Sequence, residues 1–292
     1  MPVATLLARS YRLPWAIGSS YCSPMPSPAL DEMKPLDRDA IAADMERDGF
    51  AVIDFPDPEI DQLAEDIWQS LQPHYDWDAW KAGTGGLRVP DAWKVNESVR
   101  KIATNPAILD LLSELYGRRA FAFQTLNFAV GTQQHIHADL VHFCARPPHF
   151  MCGVWVALED IQAGAGPLIY YPGSHKWPVI LPEDVGAPMA SENSPYEHYH
   201  LLEKAWEAQI AERGAQPVQF LPKKGQALIW DANLWHGGAP QTDRSLTRHS
   251  QVTHYFFEDC TYWTPLTGCE RKPVAIDPPL PPPKKWFSFF RS

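Results

Sequence analysis

From Arg118 onward the chain is a succession of short β-branched and aromatic runs: AFAFQTLNFAV, HFMCGVWVAL, GPLIYYPG, PVQFL, QALIWD and HSQVTHYFF. Clusters of Gly, Pro and Asp separate them. Runs of this length pair with one another to satisfy their backbones, so this half of the chain predicts an all-β sandwich or barrel. One helical stretch interrupts the strands, SPYEHYHLLEKAWEAQIAERG, opened by Ser-Pro and stopped by Gly214.

Ahead of the strands the period is helical. DRDAIAADMERDG, from Asp37, carries Ile41 and Met45 and closes on Gly49, which predicts a short amphipathic helix. FAVIDF follows as a strand. PDPEIDQLAEDIWQSLQ then places Ile60, Leu63, Ile67 and Leu71 on one helical face. Residues 73–93, with their aromatics and glycines, read as an ordered loop. Helical signal returns from Asn96 to Tyr116, broken at Asn105-Pro106 and ended by Gly117. The expected fold is mainly β with flanking α-helices, the helices buttressing a double-sheet jelly roll.

The two ends differ from this body. Residues 1–36 are rich in Pro, Ser and Ala and read as a loosely ordered extension, in which Arg9 and Arg12 make at most a weak targeting segment. The folded domain is expected over residues 37–265, with a helical insertion at 179–215 placed to act as a lid. Residues 266–292 read as a Pro-rich tail whose tip, Lys284, Lys285, Trp286, Phe287, Phe289, Phe290 and Arg291, is basic and aromatic. That tip is either a flexible end or a weak contact for a membrane or a protein.

Composition narrows the function. Apolar residues make up 45% of the 292, with twelve Trp, as a globular core requires. The formal charge of −10 leaves no basic excess for nucleic acid, without excluding a local pocket for one anion. Five cysteines, an odd number with no CxxC pair, indicate neither a disulfide framework nor a zinc ribbon, and a reducing, cytoplasmic setting is expected. No run of about eighteen apolar residues is present to form a spanning helix.

The chemistry concentrates in a few positions. His137-Ala138-Asp139 puts an imidazole and a carboxylate two residues apart, on the same side of an extended segment. His135 offers a competing register, and a packed histidine is the plain alternative. His236 lies where the strand QALIWD gives way to a Gly-Gly turn, a position suited to a functional side chain. Two imidazoles and one carboxylate can occupy one face of an octahedral metal and leave the other open. In RHSQVTHYFF, alternation groups Arg248 with Ser250, Val252 and His254. An inward Arg248 is an unpaired buried charge unless a carboxylate meets it, and a bidentate pair is the natural solution. Arg244, in the polar turn QTDRSLT, is the solvated alternative.

In this order, the pieces DGFAVIDF, HADLVHF, WVALEDIQAGAGPLIYYPGSHK, KKGQALIWDANLWHGG and TRHSQVTHYF resemble the phytanoyl-CoA dioxygenase family of Fe(II)/2-oxoglutarate-dependent oxygenases. The resemblance runs from about Asp37 to Glu258. It implies a double-stranded β-helix (cupin-like jelly roll), with Fe(II) on His137, Asp139 and His236, and 2-oxoglutarate and O2 as co-substrates. Arg248 would take the distal carboxylate of 2-oxoglutarate, and Trp155 would stand near it. Thr125 and Asn127, taken as inward by alternation on FQTLNF, would line the same pocket, core packing being the alternative for all three. The implied reaction hydroxylates a small-molecule substrate, whether small organic, lipid-like or sugar-like, and releases succinate and CO2. The carboxylate of Asp139 favours hydroxylation over halogenation. His142 and His175 are either substrate contacts or structural histidines. Two other readings stay open: a jelly roll that binds a ligand or partner without turnover, and a metal-dependent hydrolase on the same ligands. The oligomeric state is not legible.

Overall fold

The computed structural model describes residues 35–83 and 86–278. Most of the expected N-terminal extension and the basic-aromatic tip therefore lie outside the described residues. The first helix, α1 (Arg38–Asp48), is capped by the Asp37 side chain, which accepts from the Ala40 N–H, and it ends at Gly49 with φ at 82°. Strand β1 (Phe50–Asp54) follows. Helix α2 (Ile60–Leu71) buries Leu63, Ala64, Ile67 and Leu71 along one stripe, as its apolar period requires. The stretch expected as a loop contains a short helix, α3 (Trp77–Lys81), and a three-residue strand, β2 (Arg88–Pro90). The next helical segment is split into α4 (Glu97–Ala103) and α5 (Pro106–Tyr116). Asn105 forms the break, its side chain accepting from Ala107 and Ile108 while Pro106 takes the first helical position.

The strands follow: β3 (Ala120–Phe128), β4 (Cys144–Arg146), β5 (Met151–Ala157) and β6 (Leu168–Tyr170). Helix α6 (Tyr199–Arg213) lies within the insertion, and β7 (Val218–Phe220), β8 (Gln226–Asp231), β9 (His236–Gly238) and β10 (Ser250–Phe257) come after it. A hairpin of β11 (Thr261–Thr264) and β12 (Cys269–Arg271) closes the described chain.

A six-stranded antiparallel sheet runs β1-β8-β5-β10-β3-β2, and a smaller one runs β7-β6-β9. Phe128, Trp155, Leu228, Trp230 and Val252 of the large sheet pack with Leu168, Tyr170 and Phe220 of the small one. The opposite face of the large sheet carries α2, α4 and α5, whose Ile67, Leu71, Ile102, Ile108 and Leu111 pack with Val154, Val156, Ile229 and Tyr255. Every residue of β5 and of β10 is therefore buried. A strand covered on both faces reads as a continuous apolar run instead of an alternating one. This is a double-stranded β-helix backed by helices, the architecture expected.

The expected domain end at residue 265 falls inside the β11–β12 hairpin, which pairs through β11 with β4. Leu266 and Ile276 are buried, and the Ile276 N–H donates to the Ala122 carbonyl. The fold thus continues past the expected boundary, through strands too short to show a period. The insertion is anchored too: Leu202 and Trp206 of α6 are buried against Ala138, Val141, Tyr171 and Trp235.

Candidate active site

The segment carrying His137 adds an isolated rung to the small sheet. His137 and His236 form an antiparallel bridge, each N–H donating to the other's carbonyl at 2.9 Å. Close approach makes this possible. A Cβ on Gly237 would stand 2.8 Å from the Gln134 carbonyl oxygen, and one on Gly238 would stand 2.7 Å from the Gln133 nitrogen. The Gly-Gly pair after His236 thus lets two chain segments meet.

Asp139 opens a 3₁₀ turn (Asp139–Val141) immediately after the bridge, which turns its carboxylate toward both imidazoles. Its Oδ1 lies 3.8 Å from His137 Nε2 and 3.9 Å from His236 Nε2. One donor atom from each of the three residues lies within 4.8 Å of the others, and all three residues are buried. His135, the competing ligand, has a side chain 68% exposed, opposite Glu207.

The tautomers follow from the backbone. His137 Nδ1 lies 2.9 Å from the His135 carbonyl and His236 Nδ1 2.9 Å from the Leu234 carbonyl. A carbonyl only accepts, so both Nδ1 atoms carry a proton and both Nε2 atoms face the cluster. Burial, reinforced by His236, pushes His137 down to about 3, so it is neutral and able to ligate at pH 7. Burial pushes Asp139 up, but His236, His254 and His137 outweigh it and hold the carboxyl well below its usual range. The other oxygen of Asp139 is occupied: Oδ2 accepts from the Trp230 indole N–H at 2.8 Å and lies 3.6 Å from His254 Nε2. Oδ1 is the one directed at the imidazoles. The sequence alone marks neither Trp230 nor His254 as part of the site, although alternation groups His254 on the face of Arg248.

The cluster lies in the wall of a cavity of about 530 Å³, which Arg248, Trp155, Phe128, Leu168 and Val252 also line. Arg248 is 2% exposed, and its guanidinium makes no ion pair and no hydrogen bond among the described residues; Nε is buried without a partner. Burial pulls it down to about 10, so it is still charged at neutral pH. It lies beside two rings, 5.5 Å from the centroid of Phe128 and 6.0 Å from that of Trp155, and Trp155 Nε1 is also buried without a partner. Arg244, in contrast, is exposed, stacks over Trp80 and donates to its carbonyl.

Thr125 and Asn127 require correction. Both are fully buried, but Gln124, Leu126 and Phe128 are the β3 residues that line the cavity. Asn127 instead donates to Gln251, which donates to the Val99 carbonyl of α4, on the helical side. The register explains the parity. Leu126 pairs with Val252 and Gln124 with His254, the residues that share the face of Arg248. Alternation separates two faces, but both faces of this sheet are buried, so burial does not say which one is the pocket. His142 lines the cavity with its Nε2 3.2 Å from the Tyr199 hydroxyl, whereas His175 packs over Gly49 and is not a cavity residue.

The donor chemistry fits a divalent iron: two imidazole nitrogens and one carboxylate oxygen on one side of an otherwise open space. The unpaired Arg248 fits the carboxylate of a co-substrate. Together they define a double-stranded β-helix with a facial His-Asp-His triad. The chain belongs to the phytanoyl-CoA dioxygenase (PhyH) family, whose model matches residues 44–250. A probable phytanoyl-CoA dioxygenase of Caenorhabditis elegans is 32% identical over 181 residues, 58% of this chain and 54% of that protein. The peroxisomal phytanoyl-CoA dioxygenase of Rattus norvegicus is 25% identical over 187 residues, 62% of this chain and 52% of that protein. The chain thus spans about half the length of the curated relatives it matches.

Solved structures share the fold at low identity. The epimerase SnoN, in complex with Fe3+, alpha ketoglutarate and nogalamycin RO, has a TM-score of 0.59 and 19% identity. That match covers 84% of this chain and 95% of SnoN. EctD from S. alaskensis, with 2-oxoglutarate and 5-hydroxyectoine, also has a TM-score of 0.59 and 19% identity, covering 86% and 91%.

Proposed function

We propose that the protein is an Fe(II)- and 2-oxoglutarate-dependent dioxygenase that hydroxylates a small organic molecule. The observation that carries this reading is the pairing, in one cavity, of a buried His-Asp-His triad with a buried arginine that has no protein counter-ion. His137, Asp139 and His236 would hold the iron, and Arg248 the far carboxylate of the co-substrate. When bound, iron, 2-oxoglutarate and O2 supply the oxidising power for C–H hydroxylation, with succinate and CO2 released.

The chain's own residues bind and orient. The backbone bridge sets the spacing of His137 and His236, and the carbonyls of His135 and Leu234 fix their tautomers. Trp230 holds Asp139 by Oδ2. Phe128, Trp155 and Val252 give the space beside Arg248 apolar walls, where a charge-assisted pair gains most. The test is succinate release in air from 2-oxoglutarate with Fe(II), and its stimulation by fractions of a metabolite extract. A folded protein that releases no succinate with any fraction contradicts the reading and favours a jelly roll that binds without turnover. Hydrolysis with zinc in the absence of oxygen would instead identify a metal-dependent hydrolase.

A further inference from the structure

The cavity has a second part whose wall extends beyond the family match. The match ends at residue 250, and Thr264, Leu266, Thr267, Cys269, Glu270 and Arg271 of the β11–β12 hairpin line the same cavity as the triad. Glu192, Pro195 and Tyr196 of the insertion complete that wall, and the Cys269 thiol donates to Glu192 across it. The Arg248 end of the cavity is therefore lined by strands of the large sheet, and this end by the insertion and the β11–β12 hairpin.

Arg271 is held there in one orientation. Its Nη1 donates to the His142 carbonyl at 3.3 Å and to the Thr264 hydroxyl at 3.1 Å, while Thr264 itself donates to the same carbonyl. The guanidinium lies over the Phe143 ring, 4.7 Å from its centroid. With Nη1 engaged and one flat face covered, the edge formed by Nε and Nη2 has no acceptor among the described residues. That edge is the side-on fork that grips a carboxylate or phosphate through two parallel hydrogen bonds. Glu192 and Glu270 share the wall, but neither forms an ion pair with Arg271. Arg88, which also lines the cavity, is solvent-exposed and has no such fixing partners.

We infer that the ligand taken at this end carries an oxyanion group, a carboxylate or a phosphate ester, gripped side-on by Arg271. Calling that ligand the substrate rests on the oxygenase reading; the anion site itself does not. Arg248 has no partners that fix it and sits between Phe128 and Trp155, so the two arginines belong to different walls and are separable by mutation.

The test uses three probes with a common chain, octanoate, octyl phosphate and octanamide, titrated calorimetrically into the full-length protein without metal. The wild type is expected to bind one of the two anions at least about tenfold more tightly than the neutral amide, the scale of hydrogen bonds to a charged group. The tighter anion identifies the group. Arg271→Gln should abolish the preference and leave octanamide binding unchanged, whereas Arg248→Gln should retain it. Arg271→Lys keeps the charge without the fork, so it should bind the anion severalfold more weakly than the wild type; it also serves if Arg271→Gln does not fold. Equal affinity of the wild type for all three probes overturns the inference, as does absence of anion binding. A preference that survives Arg271→Gln, is unchanged in Arg271→Lys, or is lost with Arg248→Gln does so as well. Failure of succinate release would overturn the oxygenase reading and leave these titrations unaffected.

Discussion

His137 and His236 are joined twice over: their backbones exchange both hydrogen bonds at 2.9 Å, and each donates its Nδ1 proton to the carbonyl two residues before it. The spacing and the tautomer of both ligands are thus set by backbone before any ion arrives. Replacing Gly237 by Ala should disturb this arrangement without touching a ligand. The added Cβ would lie 2.8 Å from the Gln134 carbonyl oxygen and 2.9 Å from Ile136. Affinity for Fe(II) or Co(II), read by calorimetry, should fall roughly tenfold or more, the scale for misplacing ligand orientation.

Trp230 makes the complementary prediction for Asp139. Trp230→Phe removes the indole donor to Oδ2 but keeps a ring over Gly153, where any Cβ would meet the Trp230 ring at 2.2 Å. Metal affinity should drop by about 10–100-fold with little change in Tm, and the visible spectrum of the Co(II) form should shift as the free carboxylate changes its mode of ligation. Gly153→Ala should do the reverse. It should lower stability by about 1–3 kcal/mol through overpacking, measured by chemical denaturation.

Arg248 is a buried charge with no partner in the protein, so removing it should not destabilise the fold. Arg248→Met is expected to keep or raise Tm without co-substrate and to lose the further rise that 2-oxoglutarate produces in the wild type. In turnover, Arg248→Ala should mainly raise the KM for 2-oxoglutarate.

His249 connects the fold to pH. It is 4% exposed, stacks edge-on with Trp68 at 5.1 Å, and has a buried Nε2 with no partner. Burial pushes it down to about 4, below its usual value of 6.5. Between those values the unfolded chain binds the proton and the folded one does not, so stability is complete above pH 6.5 and is lost as pH falls toward 4. The loss reaches up to about 3 kcal/mol from this group. His249→Phe should flatten the slope of unfolding free energy between pH 7 and pH 5 relative to the wild type.

Much of this was readable in advance, and the exceptions have physical reasons. The order His137, Asp139, His236, Arg248 and the strong runs of β3, β5, β8 and β10 stand out because each run is long or apolar on both faces. The side taken by Thr125 and Asn127 is not legible because a sheet covered on both faces hides its parity; the pairing of Leu126 with Val252 and Gln124 with His254 resolves it. The β11–β12 hairpin is not legible because strands of three or four residues leave no period, so the expected domain ends at residue 265, six residues before Arg271. Trp230 sat in a strand that looked like core. Nothing in QALIWD marks one indole as the partner of a carboxylate ninety-one residues earlier.

The central claim is that the triad and Arg248 serve one metal and one co-substrate. Anaerobic addition of Fe(II) and then 2-oxoglutarate tests it most directly, by the visible charge-transfer absorption of a chelated 2-oxo acid. The wild type should develop the band at stoichiometric iron, Asp139→Ala should not, and Arg248→Ala should need at least about tenfold more 2-oxoglutarate, the scale of a lost charge-assisted pair. A folded wild type that develops no band, or an Arg248→Ala protein with an unchanged titration, would contradict the account.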